Sequence, residues 1–340
     1  MKILIILPPN QPSGGNWTYA GRLQRGLRPF GIDITLKPLD QVTDADYQAA
    51  DIIHSYNAYA TGRHIAPLAR QYGKPLVLTM TGTDVNEHLQ HPETRPSMVE
   101  VVDYAKRIVF LTEKAKENLA EIYPGAADKS IVINLGVDMP QGVGKKRHDF
   151  GLGDDEFIFL LVAGIRPVKR PLNAFAPLAR VHQVHPNVRF ILAGPVLDDN
   201  TYGQVETAFQ DSLHARYIGK VPYEEIADLY RCADVVMNTS SSEGLSHALL
   251  EAMSLGKPIL ASHVPGNRDL IEDGVNGFLY HDDDELVAKA ELLYTDQDAI
   301  TRVGEGARQT IQEQFSLERE LAAFRDMYNS LVSTDCLSGR

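Results

Sequence analysis

A chain of 340 residues is long for one core and comfortable for two domains of ordinary size. Its 44% apolar and 23% charged content is that of a globular protein and excludes disordered or fibrous classes. A formal net charge of -12 argues against broad nucleic-acid binding, which needs basic stripes, but leaves room for a local basic pocket around a small anion.

The chain opens with the apolar run Ile3–Leu7, followed by Pro8 and Pro9. The run is too short for a secretory leader and reads as a first buried strand. No stretch approaches the ~20 apolar residues that span a bilayer, so no transmembrane segment is expected. Cys232 and Cys336 lie far apart with no metal-ligand spacing, so neither a zinc site nor a disulfide framework is expected and a reducing cytoplasm is the default location. No metal site is read anywhere in the chain.

Between the first strand and the first helix lies PPNQPSGGNW, residues 8 to 17. Gly14-Gly15 permits close backbone approach to a substrate, or simply a turn. It is not a Gly-x-Gly-x-x-Gly fingerprint, and no P-loop Lys-Ser/Thr follows it. Further strands are predicted over 33–37, 52–55, 76–80, 108–111 and 131–134, with helices between them such as 17–27 and 97–105. Strands alternating with helices imply right-handed βαβ units and a parallel sheet. His54 sits near the end of one strand, where a lone histidine is more often structural than catalytic. TGTDVN, residues 81 to 86, follows the next strand. Its Asp84 suits either a substrate-hydroxyl acceptor or a helix cap.

Residues 136–150 hold Pro140, Gly142, Gly144 and the basic run Lys145-Lys146-Arg147 without apolar periodicity, and read as an interdomain linker. A second strand series follows at 157–162, 188–193, 216–218, 235–238, 259–262 and 278–280. The predicted fold is therefore α/β, with two doubly wound parallel-sheet Rossmann-like domains. The first spans 1–142 and the second 150–315. A C-terminal helix covers 316–340, with a return to the first domain as one option. Two such sheets in one chain suggest two half-sites facing one cleft.

VAGIRPVKRP, residues 162 to 171, follows the first strand of the second domain, where a doubly wound fold places its phosphate site. Arg166 and Lys169, stiffened by Pro167, suit a diphosphate; the bland alternative is an exposed basic loop. The most informative segment is SSSEGLSHALLEAMSLGKP, residues 240 to 258. It puts Glu243 and the amides of Gly244, Leu245 and Ser246 at a helix N-terminus, where phosphate or sugar oxygens can be held. Glu251, further along the same helix, is suited to a ribose diol. Taken alone, the two glutamates read better as a helix-end charge and a solvated residue. The acidic run 282–285 and the pair Asp198-Asp199 read as solvated caps or turns.

Joined in this order, the segments resemble the retaining GT-B glycosyltransferases of family four (glycosyltransferase group 1). ADVVMNTSSSEGLSHALLEAMSLGKPILAS, GVNGFLY, FLTEKAKENL and NLGVDM are similar to that family, and the resemblance covers essentially the whole chain. TGTDVNE, AGIRPVKRP and VPGNRDLI look like the subgroup of glycosyltransferase one-domain-containing proteins, with a more distant similarity to bacterial selenosugar synthases. Two features depart from the pattern: Thr81 stands where many members have histidine, and the Arg166-to-Lys169 interval is short. The resemblance implies a UDP-linked sugar as co-substrate, no separate cofactor, and transfer with retention and without metal. Arg166 and Lys169 would neutralise the diphosphate, Glu243 with residues 244–246 would hold the sugar and phosphate, and Glu251 the ribose. Gly194 and Val221 would border the base, Gly15 and Asn16 would approach from the first domain, and Thr81, His54 and Asp84 would lie on the acceptor side. The acceptor, whether small molecule, glycan or lipid-linked, is not legible, and a sulfur or selenium nucleophile is one alternative. An epimerase on the same fold and a non-catalytic nucleotide-sugar sensor are the rival classes.

Overall fold

The computed structural model of the chain describes residues 1–9, 15–82 and 84–335; Gly14 and Cys336 lie outside the described residues. The chain divides into two compact units, Met1–Gly136 with the segment from Ser316 onward, and Val137–Phe315.

The first unit is built on β1 (Lys2–Leu7), β2 (Asp33–Pro38), β3 (Ile52–Tyr56), β4 (Leu76–Thr79), β5 (Arg107–Phe110) and β6 (Ser130–Val132). All pair in parallel, in the order β2-β1-β3-β4-β5-β6. Ile3 to Leu7 are all buried, as expected of a parallel strand covered on both faces, which reads as a continuous apolar run rather than an alternating one. The helix Leu317–Asp335 belongs to this unit. Its Phe324 and Tyr328 are fully buried, and its Glu320 receives both oxygens' hydrogen bonds from Arg22 Nη2 at 2.9 and 2.8 Å.

The second unit carries β7 (Phe157–Val162), β8 (Val188–Ala193), β9 (Ala215–Tyr217), β10 (Val235–Asn238), β11 (Ile259–Ser262) and β12 (Phe278–Tyr280). Their order is β12-β11-β10-β7-β8-β9, again parallel throughout. The chain winds from β7 out to β9, then returns to the other side of β7 and winds from β10 out to β12. The point where that direction reverses lies between β7 and β10, and ligands of open α/β sheets sit beyond the carboxyl ends of the strands at such a point.

Residues 137–150, read as an interdomain linker, group with the second unit. The reason is Asp228, whose Oδ2 accepts the backbone N–H groups of Val143, Gly144 and Lys145 at 2.7, 2.8 and 3.0 Å. Arg147 adds an ion pair to Asp234 at 2.9 Å. The acidic pairs behave as caps: Asp198 accepts from the N–H of Thr201 at 2.7 Å, and Asp282 from that of Glu285 at 2.9 Å.

Candidate functional site

The loops that leave β7 and β10 meet at the switch point of the second unit. After β7 the chain passes through Ile165 into a short 3-10 turn, Pro167–Lys169, and Arg170 takes a left-handed conformation at φ 43°. The turn is tied to the β10 loop by backbone: Ser241 N donates to Val168 O at 2.8 Å, and Thr239 Oγ1 to Lys169 O at 2.7 Å. These ties aim Lys169 at Glu243, and Nζ meets Oε1 at 2.6 Å.

The same oxygen of Glu243 accepts from Asn238 Nδ2 at 2.9 Å and from Ser240 Oγ at 2.7 Å. Glu243 is buried. Burial alone would push its carboxyl up. The Lys169 charge and the hydrogen bonds from Lys169, Asn238 and Ser240 outweigh it and hold the group below the usual glutamate range. An ionised carboxylate and an ammonium therefore sit together in a nearly dry position at the mouth of the sheet.

Ser246 precedes the helix His247–Ser254 as its cap residue. Its Oγ receives Asn238 Nδ2 at 3.3 Å, which joins the helix start to the same network. Leu245 is buried and Gly244 half-buried. The backbone here is crowded from one further side: a Cβ on Gly266 would lie 2.5 Å from both Glu243 O and Gly244 O, so only glycine lets the segment Pro265–Leu270 approach. Glu251 lies on the second turn of the His247–Ser254 helix, and its Oε2 accepts from the buried Tyr230 hydroxyl at 3.0 Å. Burial and the Glu251 charge push the Tyr230 hydroxyl far up, so it stays a donor. Gly194 closes β8 at φ 146°, its N–H donating to Gly219 O at 2.9 Å, which brings it beside the residues leading to Val221. Its Cβ position would overlap Ala163 O at 2.0 Å. Arg166 is exposed.

The residues predicted on the acceptor side gather in the first unit and serve its loops. Asp84 is fully buried, and its Oδ1 accepts from the N–H groups of Thr81, Gly82 and Val85 while Oδ2 accepts from that of Ala58. Burial raises its carboxyl above the usual range against the pull of those amides. Thr81 Oγ1 accepts from Asn57 Nδ2 at 3.0 Å. His54 takes the structural role that a lone strand-end histidine more often has: it is 0% exposed, with Nδ1 2.6 Å from the Tyr328 hydroxyl and Nε2 2.7 Å from Thr79 Oγ1. Burial lowers its pKa to about 3, so it is a neutral core histidine, sealed beneath the helix Leu317–Asp335. Gly15 and Asn16 open the helix Gly15–Leu27, two residues earlier than the periodicity indicated.

Sequence reasoning missed Asn238, Ser240, Asn267 and Tyr230. The available signal was an asparagine closing the apolar strand VVMN, where a fourth hydrophobe would be expected.

Comparison with known proteins follows the same division. The model of glycosyl transferases group 1 matches residues 143–310, and that of glycosyltransferase family 4 matches residues 3–140. The chain belongs to the group 1 glycosyltransferases. It is 28% identical to glycosyltransferase 1 domain-containing protein 1 of Xenopus tropicalis, over 98% of this chain and 97% of that one. It is 31% identical to a D-inositol 3-phosphate glycosyltransferase of Streptosporangium roseum, over 70% of this chain and 60% of that one. Among solved structures, this glycosyltransferase resembles Anabaena HepE in complex with UDP-glucose, with a TM-score of 0.79 at 18% identity, over 97% of this chain and 100% of that one. It also resembles sucrose-phosphate synthase of Thermosynechococcus elongatus, with a TM-score of 0.81 at 17% identity, over 98% and 100% of the two chains. These likenesses establish the GT-B fold. No helix among the described residues is long and apolar enough to cross a membrane.

Proposed function

We propose that this glycosyltransferase takes its sugar from a UDP-linked donor held by the second unit, and transfers it with retention at the anomeric carbon. The observation that carries the reading is the Lys169–Glu243 pair at the switch point between β7 and β10. The Lys169 ammonium there is a counter-charge for a diphosphate, and the carboxylate beside it is an acceptor for sugar hydroxyls. Arg166, exposed on the same loop, adds a second cation. With two cations on that loop, the departing diphosphate is stabilised without a metal.

Glu251, its carboxylate steadied by Tyr230, takes the ribose hydroxyls, and Gly194 with Val221 borders the base. In the reaction the bond from the anomeric carbon to the β-phosphate oxygen breaks, and a bond to the acceptor nucleophile forms on the same face. The acceptor's proton passes to the departing phosphate oxygen. The UDP-glucose in the related HepE structure supports the choice of nucleotide. Calorimetric titration with UDP tests the assignments: Glu251→Ala should weaken UDP binding about tenfold, the size of one good hydrogen-bonded contact. Unchanged affinity would remove Glu251 from the ribose site.

A further inference from the structure

Asn238 is unusual for its position. It ends a strand whose other residues, Val235, Val236 and Met237, are buried hydrophobes, and it is itself only 5% exposed. Its amide is fully engaged. Oδ1 accepts from Ser240 N at 3.0 Å and from Asn267 Nδ2 at 3.1 Å, while Nδ2 donates to Glu243 Oε1 at 2.9 Å and to Ser246 Oγ at 3.3 Å. A primary amide offers two donors and two acceptor positions, so none is left over.

Asn267 fixes which way that amide faces. It is fully buried, and its Nδ2 also donates to Ser262 O at 2.9 Å. Its own Oδ1 has no partner among the described residues. Turning the Asn267 amide over would set that oxygen against Ser262 O and Asn238 Oδ1, both acceptors. The orphaned oxygen is thus the cost of an orientation that forces Asn238 to present Nδ2 to Glu243. Gly266, which alone permits the close approach beside Glu243, precedes Asn267 in the chain.

We propose that Asn238 and Asn267 form a positioning relay for the donor-sugar site: they hold Glu243 in place and ionised when a bound diphosphate draws Lys169 away from it. This rests on the donor reading above. In the ligand-free pair, Lys169 serves Glu243, yet the same ammonium is the diphosphate's counter-charge. A buried carboxylate that gives up its cation must keep other donors or take a proton. Asn238 Nδ2 and Ser240 Oγ are those donors. Neutral amide and hydroxyl groups do this without competing for the phosphates, which a second lysine would do.

The test uses the full chain with UDP and UDP-glucose as probes. Titration calorimetry gives affinity, and release of UDP from UDP-glucose gives turnover. Asn238→Asp keeps the acceptor that Ser240 N and Asn267 Nδ2 need and replaces the donor that faces Glu243 and Ser246 with an acidic oxygen. Its kcat should fall about 30- to 100-fold, with UDP affinity within about twofold of wild type. Asn267→Leu should lower kcat less, about three- to tenfold, and the double variant should be no worse than Asn238→Asp, because Asn267 acts through Asn238. Should Asn238→Asp fail to bind UDP, Asn267→Leu carries the same split between kcat and affinity. Wild-type kcat in Asn238→Asp, or additive losses in the double variant, would overturn the relay alone. Wild-type protein that binds neither UDP nor UDP-glucose would overturn the donor reading and the relay with it.

Discussion

Lys169 and Glu243 each stand in for the other's solvent, so the two substitutions should not behave independently. Lys169→Met leaves a buried carboxylate without its cation and should cost about 1–3 kcal/mol, read by urea unfolding. Adding Glu243→Gln removes the stranded charge and should return most of that stability, while turnover of UDP-glucose stays lost. Recovery of turnover in the double variant would show that the pair is structural. His54 makes a different prediction, one of pH. Its folded pKa, lowered by burial to about 3, lies below the unfolded value of 6.5. Its contribution is therefore complete above pH 6.5 and is lost as pH falls through the interval toward 3. The stability difference between wild type and His54→Gln should shrink on acidification below pH 6.5, by up to about 1.4 kcal/mol per pH unit. A difference that is constant from pH 7.5 to 5 would contradict the neutral-core assignment.

At the scale of elements, the crowded approach of the segment Pro265–Leu270 to the β10 loop can be tested directly. Gly266→Ala puts a methyl group 2.5 Å from two carbonyl oxygens, and the loop holding Glu243 must move. About 1–3 kcal/mol of destabilisation is expected from such overpacking. Turnover should fall further than the loss of folded protein explains, measured at a temperature where the variant stays folded. The elements themselves were largely legible in the sequence. β7, β8, β10, β11 and β12 fall where the apolar runs put them, because a strand buried on both faces leaves a mostly apolar run rather than an alternating one. Lys169 and Glu243 were legible as candidates because the loops after β7 and β10 flank the switch point. Their 2.6 Å contact was not, since residues 74 apart in sequence leave no local trace of pairing. Asn238 and Asn267 were hidden for the same reason. His54 was legible as structural, but its cover was not, because a strand-end position says nothing of what packs over it. The cover is the helix Leu317–Asp335, which returns from the far end of the chain. The anchoring of residues 143–145 by Asp228 was hidden in a like manner, because it joins backbone amides to a side chain more than 80 residues away.

At the scale of the molecule, each unit has its own sheet and core, and the first also buries Phe324 and Tyr328 of the helix Leu317–Asp335. Ending the chain at Phe315 would strip Phe324 and Tyr328 from the first unit, and each such loss costs about 3–5 kcal/mol. That is comparable to the whole stability of a domain, so amide-exchange protection of β1 and β3 should vanish while that of β7, β8 and β10 persists. Retained protection of β1 would show that the helix is dispensable to its unit. The central claim is that the second unit holds a UDP-sugar through Lys169, and thermal unfolding with UDP and UDP-glucose, on wild type and Lys169→Ala, tests it most directly. Ligand at 100 times its dissociation constant should raise the wild-type midpoint by roughly 5–10 °C, and the shift should largely disappear in Lys169→Ala. Folded wild-type protein whose midpoint moves with neither ligand, or a variant whose shift equals that of wild type, would contradict it.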